Sequence, residues 1–159
     1  MDSLPESFVS YQFEVEIING GEDDSISIGL ISEISDKSPG MNPNTIGIYG
    51  FDGLICRDGE KVSSCLPFTT GDVISCTVHK NQVATTQFTI TSCQFSKNDK
   101  FMGKPLNVVG KKFYPAVGLH SPGAAVQIRL NVNRNASPMG PKETTKDSSK
   151  GQNCLRTKN

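Results

Sequence analysis

The chain predicts an all-β fold, an antiparallel β-sandwich of two twisted sheets followed by a disordered C-terminal tail. Short segments that alternate apolar and polar residues recur along it, and Gly, Pro, Asn and Asp separate them. No stretch carries a convincing helical period. A period of two sets one face of each strand against a core and the other toward water.

Residues 11–18, YQFEVEII, open the series, with Phe13, Val15 and Ile17 opposing Glu14 and Glu16. Asn19-Gly20-Gly21 is a turn, and Ile26, Ile28 and Leu30 mark the next strand within 25–31. The loop SDKSPGMNPN at 35–44 holds two prolines and a glycine, which exclude a regular element. Residues 45–56 read as two short strands around Phe51-Asp52-Gly53, where Asp-Gly is a tight-turn dipeptide. Asp58-Gly59 marks a further turn, and VISCTVH at 73–79 is a strand after Thr70-Gly71-Asp72.

Residues 83–96 are less regular. Phe88 and Ile90 share one phase while Cys93 and Phe95 share the other, so a break or bulge is expected near Thr91-Ser92. Lys97–Lys100 is the next turn, with a short strand at Phe101–Met102. Residues 113–132 close the series as two strands around a Ser-Pro-Gly turn. In the second, Val126, Ile128, Leu130 and Val132 point toward the core, and Gln127, Arg129 and Asn131 point away. About seven to nine such strands make an antiparallel sandwich or barrel the natural architecture.

With 159 residues the chain has room for one domain and a tail. Residues 134–159 offer only Ala136, Met139, Cys154 and Leu155 as apolar groups, too few to offset the entropy of ordering them. The expected division is a lead-in at 1–10, a sandwich at 11–133 and a disordered basic tail at 134–159. Residues 1–133 hold 10 Lys/Arg against 14 Asp/Glu, a net −4, and the tail holds 6 against 2, a net +4. An acidic domain with spaced tail cations lacks the clustered basic surface that nucleic acid requires.

Cys56, Cys65, Cys76, Cys93 and Cys154 are odd in number and form no CxxC. The opening MDSLPESFVSYQF has neither a basic n-region nor an unbroken apolar run, and nothing approaches the roughly 18 apolar residues of a membrane span. These features point to a reducing, intracellular setting, the cytoplasm ahead of the nucleus, with free thiols.

No catalytic constellation assembles. His79 and His120 are the only imidazoles, and a Ser-His neighbour pair in sequence lacks the orienting acid and oxyanion donor of a triad. Glu22-Asp23-Asp24 lacks the spaced ligands of a calcium loop and reads as a solvated turn. Gly20-Gly21, Gly50 and Gly53 precede no helix and are not phosphate cradles. The expectation is a non-enzyme with no cofactor and no metal.

Five stretches, in order, resemble a SPRY (B30.2-like) domain: QFEVEI at 12–17, ISIGLI at 26–31, PFTTGDVISCTV at 67–78, SKNDKFMG at 96–103 and FYPAVGLHSPG at 113–123. The pattern is most similar to the Ran-binding-protein-M and SPRY-domain-containing types. It departs in three places. Pro39-Gly40 precedes Met41 where tryptophan is usual, the Tyr-His-Gly-Asp-Asp-Gly run shortens to Tyr49-Gly50-Phe51-Asp52-Gly53, and there is no tryptophan anywhere. The segment between His79 and Gln94 is an insertion against the compact pattern. A strand or two that ordinarily precede the first segment have only about ten residues here, so the resemblance suggests a domain lacking its first strands, or one that closes its sandwich differently.

The resemblance implies a module that binds a protein or short peptide through its loops, as an adaptor or substrate-recognition element, while the charge distribution and the short apolar runs imply no nucleic-acid and no membrane partner. The implied contact residues are Pro39, Gly40 and Met41, then Tyr49, Phe51 and Asp52, then Leu119, Ser121 and Pro122. A monomer is expected. The competing readings are a lectin-like carbohydrate-binding sandwich, disfavoured by the missing tryptophan, and a truncated fragment without binding activity.

Overall fold

A computed structural model describes residues 10–32, 37–80, 89–110 and 112–132. Eleven strands follow one another in these segments: β1 (Ser10–Asn19), β2 (Ile26–Ile31), β3 (Ile46–Tyr49), β4 (Leu54–Arg57), β5 (Glu60–Ser64), β6 (Val73–Lys80), β7 (Thr89–Lys97), β8 (Lys100–Phe101), β9 (Leu106–Gly110), β10 (Tyr114–Leu119) and β11 (Ala125–Val132). One sheet runs β11-β1-β6-β7-β8, with β9 also paired to β7, and the other runs β10-β2-β3-β4-β5. Every pair is antiparallel. The expected two-sheet, all-β sandwich is what the chain forms.

The core lies between the sheets and is built by the alternation read from the sequence. Tyr11, Phe13, Val15 and Ile17 face inward from β1, and the first three sit in register with Val78, Cys76 and Ile74 of β6. Ile26, Ile28 and Leu30 of β2 meet them from the other layer with Ile46, Ile48 and Ile55. Phe13 and Phe95 are among the largest fully buried side chains. Outward from β1, Gln12, Glu14 and Glu16 are half-buried, and Arg129 of β11 pairs with both glutamates.

The turns follow their residues. Asn98 and Asp99 both take positive φ, 50° and 68°, which is the two-residue geometry whose twist matches antiparallel strands. Asp58 and Gly59 do the same between β4 and β5.

Three strand readings need correction. β7 pairs with β6 and β9 without any register shift, so there is no bulge at Thr91-Ser92. Thr91 takes the inward slot instead, 1% exposed, and its hydroxyl has no hydrogen-bond partner. Phe88, half of the conflicting phase, lies outside the described residues. The shifts fall elsewhere, between Ile17 and Asn19 and between Ile55 and Cys56. β5 and β9 are strands that the sequence pattern does not mark. Lastly, Ile128 and Leu130 share the face of Val15 and Phe13 as expected, yet they stand 36% and 53% exposed. β11 ends its sheet, and nothing among the described residues covers that margin.

The lead-in at 1–10, apart from Ser10, the tail at 134–159 and most of the insertion fall outside the described residues.

Candidate functional site

One end of the sandwich gathers the β1–β2, β3–β4, β5–β6 and β10–β11 connections. The Gly20 N–H donates to Thr70 Oγ1 at 2.9 Å, and the Asp23 N–H donates to Ser121 Oγ at 3.1 Å. The Gly50 N–H reaches the Ile26 carbonyl, the Phe68 N–H reaches the Gly50 carbonyl, and Thr69 Oγ1 donates to Asp24 Oδ1. These bonds join remote segments into one surface. Between them opens a cavity of about 390 Å³ lined by Glu22, Asp23, Asp24, Phe51, Phe68 and Thr69 together with Gly50 and Pro67. Phe68 is buried and forms part of the core, while Phe51 stands 66% exposed at the lip.

Asp72 braces the base of this end. Its two carboxylate oxygens accept from the Thr69 N–H at 2.9 Å and the Asn98 amide at 2.8 Å, with Lys97 Nζ 4.0 Å away. Burial pushes its pKa up, but the two donors and the lysine outweigh burial and hold it below the ordinary aspartate value.

The loop after β2 does something composition cannot show. Ser38–Met41 lies as a strap across the outer face of the second sheet. Ser38 Oγ is hydrogen-bonded to His120 Nε2 at 2.7 Å, and the same ring nitrogen lies 3.4 Å from the buried Ser27 hydroxyl. The Tyr49 hydroxyl donates to the Pro39 carbonyl at 2.9 Å. The Gly59 N–H donates to the Gly40 carbonyl at 2.8 Å, where the strap reaches the β4–β5 turn. Gly47 lies directly beneath, and a Cβ there would collide with the Pro39 backbone. Gly40 has φ +92°, and a Cβ would sit 2.6 Å from the Cys56 carbonyl oxygen. Burial raises the Tyr49 phenol, a hydrogen bond with Ser38 lowers it, and Cys56 and Asp52 raise it further, for a net rise.

Eight of the nine residues singled out from the sequence therefore fall in three places, and Leu119 stands apart from them. Pro39 and Tyr49 touch, with Gly40 buried beside them and Met41 exposed at the far end of the strap. Phe51 and Asp52 share the β3–β4 turn at the cavity, and Asp52 Oδ1 caps the Leu54 N–H. Ser121 and Pro122 make the β10–β11 turn, Ser121 buried as the acceptor for Asp23 and Pro122 exposed. Leu119 is not in that turn. It is the last residue of β10, in register with Ile26 on the inner face, and 47% exposed.

Sequence reasoning missed Ser27, Ser38 and His120 as a joined group, and the cavity wall at 22–24. Only the pairing of Gly118 with Ser27 and the path of the strap bring the first three together.

A two-layer antiparallel sandwich whose connections build one surface is the plan of a recognition domain that works through loops on a fixed scaffold. The SPRY domain family matches residues 10–133, and the chain belongs to that family of protein-interaction modules. The zebrafish (Danio rerio) Ran-binding protein 9 is 34% identical over 126 residues, 77% of this chain and 20% of that protein. SPRY domain-containing protein 3 of Pongo abelii is 31% identical over 141 residues, 82% of this chain and 30% of that protein. The chain thus spans about a fifth to a third of the length of these relatives. A human SPRY domain crystal structure superposes with a TM-score of 0.60 at 26% identity, over 77% of this chain and 76% of that one. The SPRY domain of human HERC1 shares the fold at 16% identity and a TM-score of 0.58, over 84% and 80% of the two chains.

Proposed function

We propose that this domain is a non-enzymatic recognition module that binds a short peptide or partner surface at its loop end, centred on Phe51. The exposure of Phe51 at the lip of the cavity carries this reading, because an aromatic ring left in water is an apolar contact ready to be covered. Beside it, Glu22 and Asp23 offer carboxylates to peptide N–H groups or cationic side chains. Tyr49 and the strap residues Pro39, Gly40 and Met41 extend the surface along the second sheet, and Asp52, Ser121 and Pro122 frame the loop end. The bracing by Asp72, Thr70 and Ser121 lets the surface bind with little ordering cost. Free thiols at Cys56, Cys65, Cys76 and Cys93 fit a reducing intracellular setting for an adaptor or substrate-recognition element.

Selection of peptides from a random display library on the immobilised chain tests the proposal. Phe51→Ala should weaken the selected peptide by about tenfold or more while leaving the melting temperature unchanged, as expected for an aromatic anchor. Tyr49→Ala should weaken it by a smaller factor. Equal affinity in all three proteins would place recognition elsewhere. Saturable binding of simple sugars, unaffected by either change, would favour a lectin instead.

A further inference from the structure

Among the described residues, nothing covers the flank opposite β5 and β8. β10 and β11 are the outer strands of their sheets, and the short turn at 120–124 joins them, so both edges lie on one side of the sandwich. Core-facing residues reach the surface there. Ile128 and Leu130 are 36% and 53% exposed although Val15 and Phe13, their neighbours on β1, are fully buried, and Leu119 on β10 is 47% exposed beside buried Ile26.

Nothing in β11 defends this edge. Exposed edges are normally blunted by proline, a bulge or an inward-pointing charge. Ala125–Val132 contains none of these, and its pairing with β1 is regular from Val132 to Val126, the shift lying beyond at Ile17/Asn19. The one charge on the strand, Arg129, points outward and is held by Glu14 and Glu16 of its own molecule. Residues 134–159 contain no alternating apolar stretch that could complement the edge.

We infer that, in place of the monomer expected from the sequence, a second copy of this chain docks here, β11 against β11, antiparallel about a twofold axis through Ile128. The strand is self-complementary in that register. Ile128 faces its own copy and Val126 faces Leu130, both on the inner face, while Gln127 faces Arg129 on the outer face. Centring the axis on Arg129 would set two guanidinium groups opposite one another, which is unfavourable. A one-residue slip would set Ile128 against Arg129 and turn one copy's apolar face outward. Axes at Val126, Gln127 or Leu130 also match the faces but pair fewer residues of Ala125–Val132, so the axis at Ile128 gives the longest pairing that keeps the guanidinium groups apart. It extends the first sheet across the axis, closes the β11 edge of each copy and covers the exposed core-facing side chains of β11 in one isologous contact.

Cysteine cross-linking in the full 159-residue chain, with Cys65 and Cys154 replaced by serine, reads the register directly. Facing residues in an antiparallel pair have Cα atoms about 5 Å apart, within disulfide reach, so Ile128→Cys should form a covalent dimer under mild oxidation. The two copies of position 129 would be about 8 Å apart and those of position 130 about 14 Å, so Arg129→Cys and Leu130→Cys should not. Sedimentation velocity should show a concentration-dependent dimer that Ile128→Lys weakens by about tenfold or more through facing like charges, with the melting curve of the dilute protein unchanged. A chain that sediments as a monomer at every concentration, including one that takes up an extended segment of another protein on β11, overturns the inference. So does cross-linking at all three positions, at none, or a dimer indifferent to Ile128→Lys.

Discussion

Asp72 shows how much of the loop end hangs on one side chain. Its carboxylate ties the β5–β6 connection, through Thr69, to the β7–β8 turn, through Asn98, and the same connection supplies Thr70 to Gly20 and Thr69 to Asp24. Burial works against the charge, but the two donors and Lys97 win, so the folded pKa lies below the ordinary value of 3.8. A group depressed on folding stabilises the fold fully above its unfolded pKa, and that contribution is lost as pH falls through the folded pKa. Asp72→Asn should therefore cost about 1.5–3 kcal/mol at pH 7, the worth of a charge-assisted hydrogen bond. The gap between variant and wild type should close as the solution is acidified below the unfolded aspartate value. Urea titrations at neutral and acid pH check this, and a gap independent of pH would mean that the carboxylate's charge is not what holds the turn.

Among the elements, legibility tracked burial. β1, β2 and β6 each place one face in the core, and their period of two was readable residue by residue from Phe13 to Val78. β5 lies at the margin of its sheet with Val62, 37% exposed, its only apolar residue, so no alternation marks it. β9 carries Val108 inward and Val109 outward side by side, which blurs the period. In β7 the apparent phase conflict was resolved by tolerating a polar residue inside: Thr91 fills the position where the alternation demanded an apolar group. The candidate site was legible at Phe51 and Asp52, because Asp-Gly dictates a turn. It was not legible at the strap, whose course depends on His120 and Gly47, residues 82 and 7 positions away from Ser38 and Gly40. Thr91→Val tests the reading of β7. It keeps the shape and removes a buried hydroxyl that has no partner, so stability should rise by about 1 kcal/mol. A loss of similar size in thermal or urea unfolding would mean that the hydroxyl is satisfied in solution.

At the scale of the whole molecule, the described chain is stitched together by its ends. β1 lies between β6 and β11, so the first described strand is flanked by the last, and Tyr11 pairs with Val132. Phe13, wholly buried, is set between Cys76 and Leu130 in that three-strand register and packs into the same core as β2 of the other layer. Its neighbours come from distant parts of the sequence, and no local segment can bury it alone. Phe13→Ala should therefore remove about 3–5 kcal/mol, the cost of a large cavity in a rigid core. Against the roughly 5–15 kcal/mol of a domain this size, that is a large share of the total. Because the affected contacts join both layers, the loss should appear as one shifted transition and not as a separate melting of one sheet. Urea unfolding followed by circular dichroism and by tyrosine fluorescence decides the matter. Coincident curves displaced together support a single core fastened by β1, whereas a variant in which the two probes part company would mean that the two sheets hold themselves independently.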